Sequence, residues 1–223
     1  MKKILLAIIL SATLFGCADH SVSLQEQLDQ QIQVIDQLPI ASANYRKPFY
    51  TYYTEPSIGH YQSSDTYNAF TYQSMRFVMN LNVTAIMNAS QQPQQSSTLE
   101  PIAIKQGEMK NIQGTLIPYT IEIYQFNRKS VVYMTTSELN FFGIVDTGDA
   151  STLAGKMYSI ARSVTIRKDA VLRVYSKQPA ISYEGEAINL YRDIAPEEGT
   201  LQDLIHDKSR IDTSKDRSTS DEN

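Results

Sequence analysis

Few residues in this chain are of a type that does chemistry. It has three histidines and one cysteine among 223 residues, against 24 carboxylates. His20 and His206 lie far from the chain's centre, which leaves His60 as the histidine of the body. A zinc site wants three or four His, Cys or carboxylate ligands, often in short-spaced pairs, and no such pair occurs, so no metal is expected. His60 follows Ser57-Ile58-Gly59, a turn-like context that predicts an exposed loop histidine rather than a proton carrier. No G-x-S-x-G elbow is present to activate a serine. The stretch from Gly148 to Gly155-Lys156 is two residues too long for a phosphate loop and continues with Met157, so no nucleotide cofactor is expected.

Carboxylates and tyrosines remain. Glu122 and Glu138 fall on a predicted hairpin, Asp146 and Asp149 at a helix start, and Glu184 and Glu186 near a closing strand. Two of them held roughly 5 to 9.5 Å apart could hydrolyse a glycoside. Asp146 and Asp149 have a simpler use as helix caps, where their charge also suits the helix dipole. Asp146-Thr147-Gly148-Asp149 lacks the regular oxygen ligands and closing Glu of a calcium loop. Catalytic residues therefore stay unassigned. The tyrosines are more concentrated, because nine of the chain's 21 Tyr and Phe residues lie between Tyr45 and Tyr72. Tyr rings offer a flat apolar face and a hydroxyl, which suits glycan stacking or a protein interface. Tyr50, Tyr52 and Tyr53 form the candidate binding surface, against the reading that they cover a sheet edge as strand formers.

The elements that must position these residues follow from periodicity. Leu24, Leu28, Ile32, Ile35 and Leu38 recur at helical spacing before Pro39, so a helix over 22–38 either docks on the body or serves as a stalk. Phe77, Met79, Leu81 and Val83 alternate as a strand, with Phe70-Thr71-Tyr72 as its hairpin partner across Gln73-Ser74. Residues 88–98, rich in Gln and Ser, read as a loop. Residues 115–126 and 131–145 flank Asn127-Arg128-Lys129-Ser130 as a long hairpin. One face of it collects Ile117, Tyr119, Ile121, Ile123, Val132 and Met134; the other collects Glu122, Tyr124, Tyr133 and Thr135. A helix then places Leu153, Met157, Ile160, Ala161 and Val164 inward, with Ser151, Lys156, Ser159 and Arg162 opposite. Residues 169–177 lean to helix and 187–194 to a last strand, with a short helix from Pro196 to about Ile205. The composition predicts an α+β domain: an antiparallel sheet with a long hairpin and one principal packed helix.

The first residues give an address. Lys2 and Lys3 precede an apolar run from Ile4 to Phe15 that is too short for the ~20 residues of a membrane span. Leu14-Phe15-Gly16-Cys17 resembles the lipobox of bacterial lipoproteins, Phe15 replacing the small or branched residue usual there. The resemblance covers residues 1–17 and implies cleavage between Gly16 and Cys17, lipid on Cys17, and export to a bacterial membrane. Because Cys17 is the only cysteine, lipidation there leaves neither a disulfide nor a thiol nucleophile. The expected organisation is a signal peptide over 1–16, an anchored helix or linker over 17–44, one domain over 45–205, and a solvated tail over 206–223, where Ile211 alone is large and apolar.

Charge narrows the partners. With 20 basic against 24 acidic side chains and a pI near 5.4, bulk charge does not fit a nucleic-acid binder. Removal of Lys2 and Lys3 leaves 18 against 24, so acyl chains rather than basic clusters would hold the membrane. The order of long hairpin, helix ending near Ser163 and closing strand is similar to that of PsbP-like domains, which implies a fold and no function. The functional expectation is a non-enzymatic, lipid-anchored envelope protein that binds another envelope component, protein or glycan, through its Tyr-rich surface. The alternative is a hydrolase of envelope polymers that uses paired carboxylates.

Overall fold

A computed structural model describes residues 22–87 and 100–176 of the chain. The expectations for Gly16 and Cys17, the 88–98 loop, Glu184, Glu186, the closing strand and the tail lie outside these residues. The architecture is α+β: a seven-stranded antiparallel sheet, a three-stranded sheet beside it, and helices on one face. Among the described residues no helix is long and apolar enough to cross a membrane.

Helix α1 (Leu24–Gln37) starts with a capping box, in which Glu26 N–H donates to Ser23 Oγ (3.2 Å) and Ser23 N–H donates to the Glu26 carboxylate (2.9 Å). Strands β1 (Tyr45–Arg46) and β2 (Tyr50–Tyr52) begin the small sheet. The large sheet takes β3 (Ile58–Ser63), β4 (Tyr67–Tyr72), β5 (Met75–Leu81), β6 (Ala103–Lys110), β7 (Leu116–Phe126), β8 (Lys129–Thr136) and β9 (Leu139–Asp146). Their spatial order is β3-β4-β5-β9-β8-β7-β6. Helix α2 (Val83–Met87) follows β5, so Val83 opens a helix instead of closing the strand. Helix α3 (Ala150–Ser163) follows a 3-10 turn over Thr147–Asp149 and leads to β10 (Thr165–Ile166), which completes the small sheet in the order β1-β2-β10. Helix α4 (Lys168–Tyr175) is the last described element.

The long hairpin differs from expectation in two ways. Its second arm is itself folded: the chain reverses at Ser137-Glu138, where Thr136 Oγ1 accepts from the amides of Glu138 and Leu139, so 131–145 makes two strands. At the first turn Phe126 pairs with Lys129, and Asn127 takes a positive φ of 53° to close it. That register differs by two residues from one that pairs Phe126 with Val131. An even offset leaves every side chain on its expected face. Ile121, Ile123, Val132 and Met134 are fully buried in the core beneath α1 and α3.

Helix α1 docks on the body, burying Leu28, Ile32 and Ile35. Gly155 of α3 permits the close approach, since a Cβ there would sit 2.7 Å from Gln31 Cγ and 3.0 Å from Ile35 Cδ1. Docking also reverses the expected polar side of α3. Arg162 is buried, and its guanidinium donates to the carbonyls of Ile35, Asp36 and Leu38 at the end of α1 and of Lys110 on β6. A cation there satisfies carbonyls left open by the helix and suits its dipole. The expected caps at the other end of α3 are not made: neither Asp146 nor Asp149 places a side-chain hydrogen bond on the helix, because the 3-10 turn starts it instead.

Candidate functional site

The Tyr-rich segment builds a joint between the two sheets. β2 is the middle strand of the small sheet, flanked by β1 and β10. Its alternation points Tyr50 and Tyr52 inward, and both are 0% exposed. Tyr52 Oη donates to Asn68 Oδ1 (3.0 Å), and Asn68 Nδ2 donates to Tyr50 Oη (2.5 Å). Burial pushes the ionisation of both phenols well above the ordinary Tyr value, so they stay neutral. Tyr50 and Tyr52 are therefore not a binding surface. They are core residues whose hydroxyls are satisfied by one buried amide. Tyr53 is half-buried, and its amide donates to Ser163 Oγ (2.9 Å) at the end of α3.

His60 departs from expectation too. It lies on β3, not in a loop, with its ring 4.0 Å from Tyr45, 5.0 Å from Phe70 and 6.0 Å from Tyr52, centroid to centroid. Its Nε2 is buried without a hydrogen-bond partner among the described residues. Burial, followed by the nearby Lys47 charge, holds its pKa below the usual histidine value.

The exposed rings are others of the same segment. Tyr45 stacks on Tyr52 at 5.4 Å and lies outermost in the pile, 40% exposed. Tyr61 is 46% exposed and carries the Arg76 guanidinium 5.8 Å from its ring centre. The pairing of β3 with β4 slips between His60 and Gln62, so Tyr61 is the extra residue of a bulge, a device that re-aims a side chain. β3 is also an edge of the large sheet. Lys47 Nζ donates to Ser63 Oγ (2.7 Å), which ties the small sheet to the end of that edge strand. The edge of β3 therefore presents Tyr45 on one side and Tyr61 on the other.

The opposite edge is covered at Ile104. Gln25 of α1 bonds both backbone groups of Ile104 on β6, accepting from its amide (2.9 Å) and donating to its carbonyl (3.0 Å). Asp29 pairs with Lys105 at 2.7 Å, and that bond holds its pKa below the ordinary value. Blocking edge backbone groups in this way prevents strand addition.

The described carboxylates do not converge. Glu122 is paired with Tyr133 in mid-sheet, four residues along the strand from Phe126, whose partner Lys129 faces Asp146. At roughly 3.3 Å per residue, that places Glu122 and Asp146 more than about 10 Å apart. Glu138 sits beyond the other end of β9 and is paired with Lys168. Asp149 lies in the 3-10 turn before α3. Lys156 bonds the Glu55 carboxylate at 2.8 Å, with the Tyr72 ring 4.5 Å away. Among the described residues no cluster of three His, Cys or carboxylate groups could hold a metal.

The sequence pattern predicted Tyr50 and Tyr52 as surface residues, and the structure buries both. The signal it lacked was β10: Thr165-Ile166 pairs with Thr51 and Tyr50 and makes β2 a central strand, and two residues carry no periodicity.

No family model and no curated protein matches this chain. A crystal structure of a protein from Bacteroides thetaiotaomicron VPI-5482, at 1.50 Å resolution, is similar over 69% of this chain with 9% identity and a TM-score of 0.28. The similarity spans 59% of that protein's chain.

Proposed function

We propose that this chain is a lipid-anchored protein of a bacterial cell envelope that binds another envelope component, protein or glycan, at the β3 edge through Tyr45 and Tyr61. The observation that carries this reading is the exposed aromatic pair flanking a bulged edge strand, backed by a stack of His60, Tyr52 and Phe70. A ring fixed by its neighbours loses little freedom when a ligand stacks on it.

The position of α1 supports the same reading. Five residues separate Cys17 from the Ser23 cap, a reach of about 20 Å when extended. The start of α1 lies against Ile104 on β6, at the far edge of the sheet from β3. Six interstrand spacings of about 4.8 Å put the tyrosine edge roughly 29 Å from the anchored edge. A domain held this way keeps its β6 side near the bilayer and turns Tyr45 and Tyr61 toward the envelope beyond. The hydrolase reading has no comparable support, since the carboxylates in view lie on separate parts of the sheet.

Two measurements test the proposal. Labelled fatty acid should incorporate into the native chain and be lost in Cys17→Ser; incorporation into that variant would remove the anchor. Pelleting of the purified protein with envelope fragments should weaken at least tenfold in the Tyr45→Ser/Tyr61→Ser variant, with its circular dichroism unchanged. Equal pelleting of a folded variant would remove the site.

A further inference from the structure

The large sheet has a second face, turned away from α1 and α3. Ala69, Val78, Tyr124, Val131 and Phe142 form a separate apolar cluster there, with Phe126, Tyr133 and Ile144 packed against it. Every member comes from a strand, and the buried apolar residues of the described helices belong to the other cluster. Yet Val78 and Phe142 are 0% exposed, Ala69 1% and Val131 2%. An antiparallel sheet face left to solvent keeps the tips of its side chains wet. Side chains this deeply buried require a covering layer.

The chain's own composition decides what that layer is. The apolar run from Ile4 to Phe15 is assigned to export by the proposed function, on which this step rests; residues 18–21 contain no large apolar side chain, and 88–99 contain one, Leu99. Beyond Ser176, by contrast, Ile181, Tyr183, Ile188, Leu190, Tyr191 and Ile194 fall within fourteen positions, and after Ile205 only Ile211 is large and apolar. The described chain ends after α4, whose Lys168 pairs with Glu138 at one end of β9, the strand that carries Phe142. An extended run of fourteen residues reaches about 46 Å, more than the roughly 29 Å across seven strands. We infer that the apolar second face of the large sheet is a docking surface for this chain's own segment 181–194. The face is then occupied in cis, which protects an aromatic patch that would otherwise invite association with other chains.

Thiol accessibility in the full chain tests this directly. Val131→Cys places a near-isosteric thiol on the second face, and Val132→Cys places one on the core face as a control. With labelling mapped by peptide, so that Cys17 does not interfere, both should react slowly. Adding Ile188→Ser, Leu190→Ser and Tyr191→Ser should speed Val131→Cys at least tenfold and leave Val132→Cys slow. Fast labelling of Val131→Cys in the otherwise native chain would overturn the inference, as would protection that survives the three serines or that depends on protein concentration, which would make a second copy the cover. Should the serines release Val132→Cys too, oxidation of Val131→Cys paired in turn with Ile188→Cys, Leu190→Cys or Tyr191→Cys decides. An intramolecular disulfide in at least one pair is expected, and none in any would overturn it.

Discussion

His60 shows how one residue's setting generates a measurable behaviour. Neutral imidazole suits a ring enclosed by Tyr45, Phe70 and Tyr52, with a lysine nearby and an Nε2 that is buried without a hydrogen-bond partner among the described residues. Its folded pKa lies below the unfolded value near 6.5, so between the two the unfolded chain binds more protons. The stabilisation is complete above about pH 6.5 and is lost as pH falls through the folded pKa. Urea unfolding between pH 8 and pH 5 should therefore show a loss of midpoint that His60→Phe reduces. An identical pH profile in both proteins would show that the ring is not held neutral. Arg162 makes a larger contribution. Arg162→Ala would remove the charged donor from the carbonyls of Asp36 and Leu38 at the end of α1, while the Ile35 carbonyl keeps the Leu38 amide; at about 1.5–3 kcal/mol for hydrogen bonding to a charged group, a loss of about 2 kcal/mol is expected in denaturant titration. Neither role was legible in the sequence. His60 follows a glycine that resembles a turn, and Arg162 occupies the helix side that periodicity assigns to water. Both become apparent only once a neighbouring element covers them.

At the scale of elements, periodicity read the parts whose apolar side chains recur regularly on the side facing the core beneath α1 and α3. The alternation of β5 and β7 and the stripes of α1 and α3 are in this group, and even the shifted register at Asn127 kept its faces because strand parity survives an offset of two. What periodicity missed were the strands β3 and β6, where no strand was expected, the two-residue elements β1 and β10, and the reversal at Ser137-Glu138, which has neither Gly nor Pro to mark it. Those omissions account for the choice of Tyr50 and Tyr52 as surface, since it is β10 that makes β2 central. The contact of α1 with α3 offers a test at this scale. Gly155→Val would drive a branched side chain into Gln31 and Ile35, and overpacking of this kind costs about 1–3 kcal/mol. Loss of hydrogen-exchange protection in α1, with the β7–β8 pair still protected, is the expected pattern. Unchanged protection in α1 would mean that the helix is not fixed by this contact.

For the whole molecule, the proposed lipid-bearing start, a helix bound over one sheet edge and an aromatic pair on the other make one arrangement. The α+β class was legible in composition and periodicity, while the direction in which the tyrosines face came from strand order, which no local pattern encodes. Deleting residues 207–223, a stretch poor in apolar side chains, should leave the melting temperature within a few degrees of the native value; a larger drop would show that this stretch packs. The central claim is that the β3 edge, remote from the anchor, is the contact surface. Photocrosslinking in living cells tests it most directly, with a photoreactive residue placed at Tyr45 and, in a separate chain, at the exposed Leu116 on the β6–β7 side. A discrete adduct is expected from position 45 that Tyr61→Ser diminishes, and none of that size from position 116. No adduct at 45, or the same adduct from both positions, would contradict it.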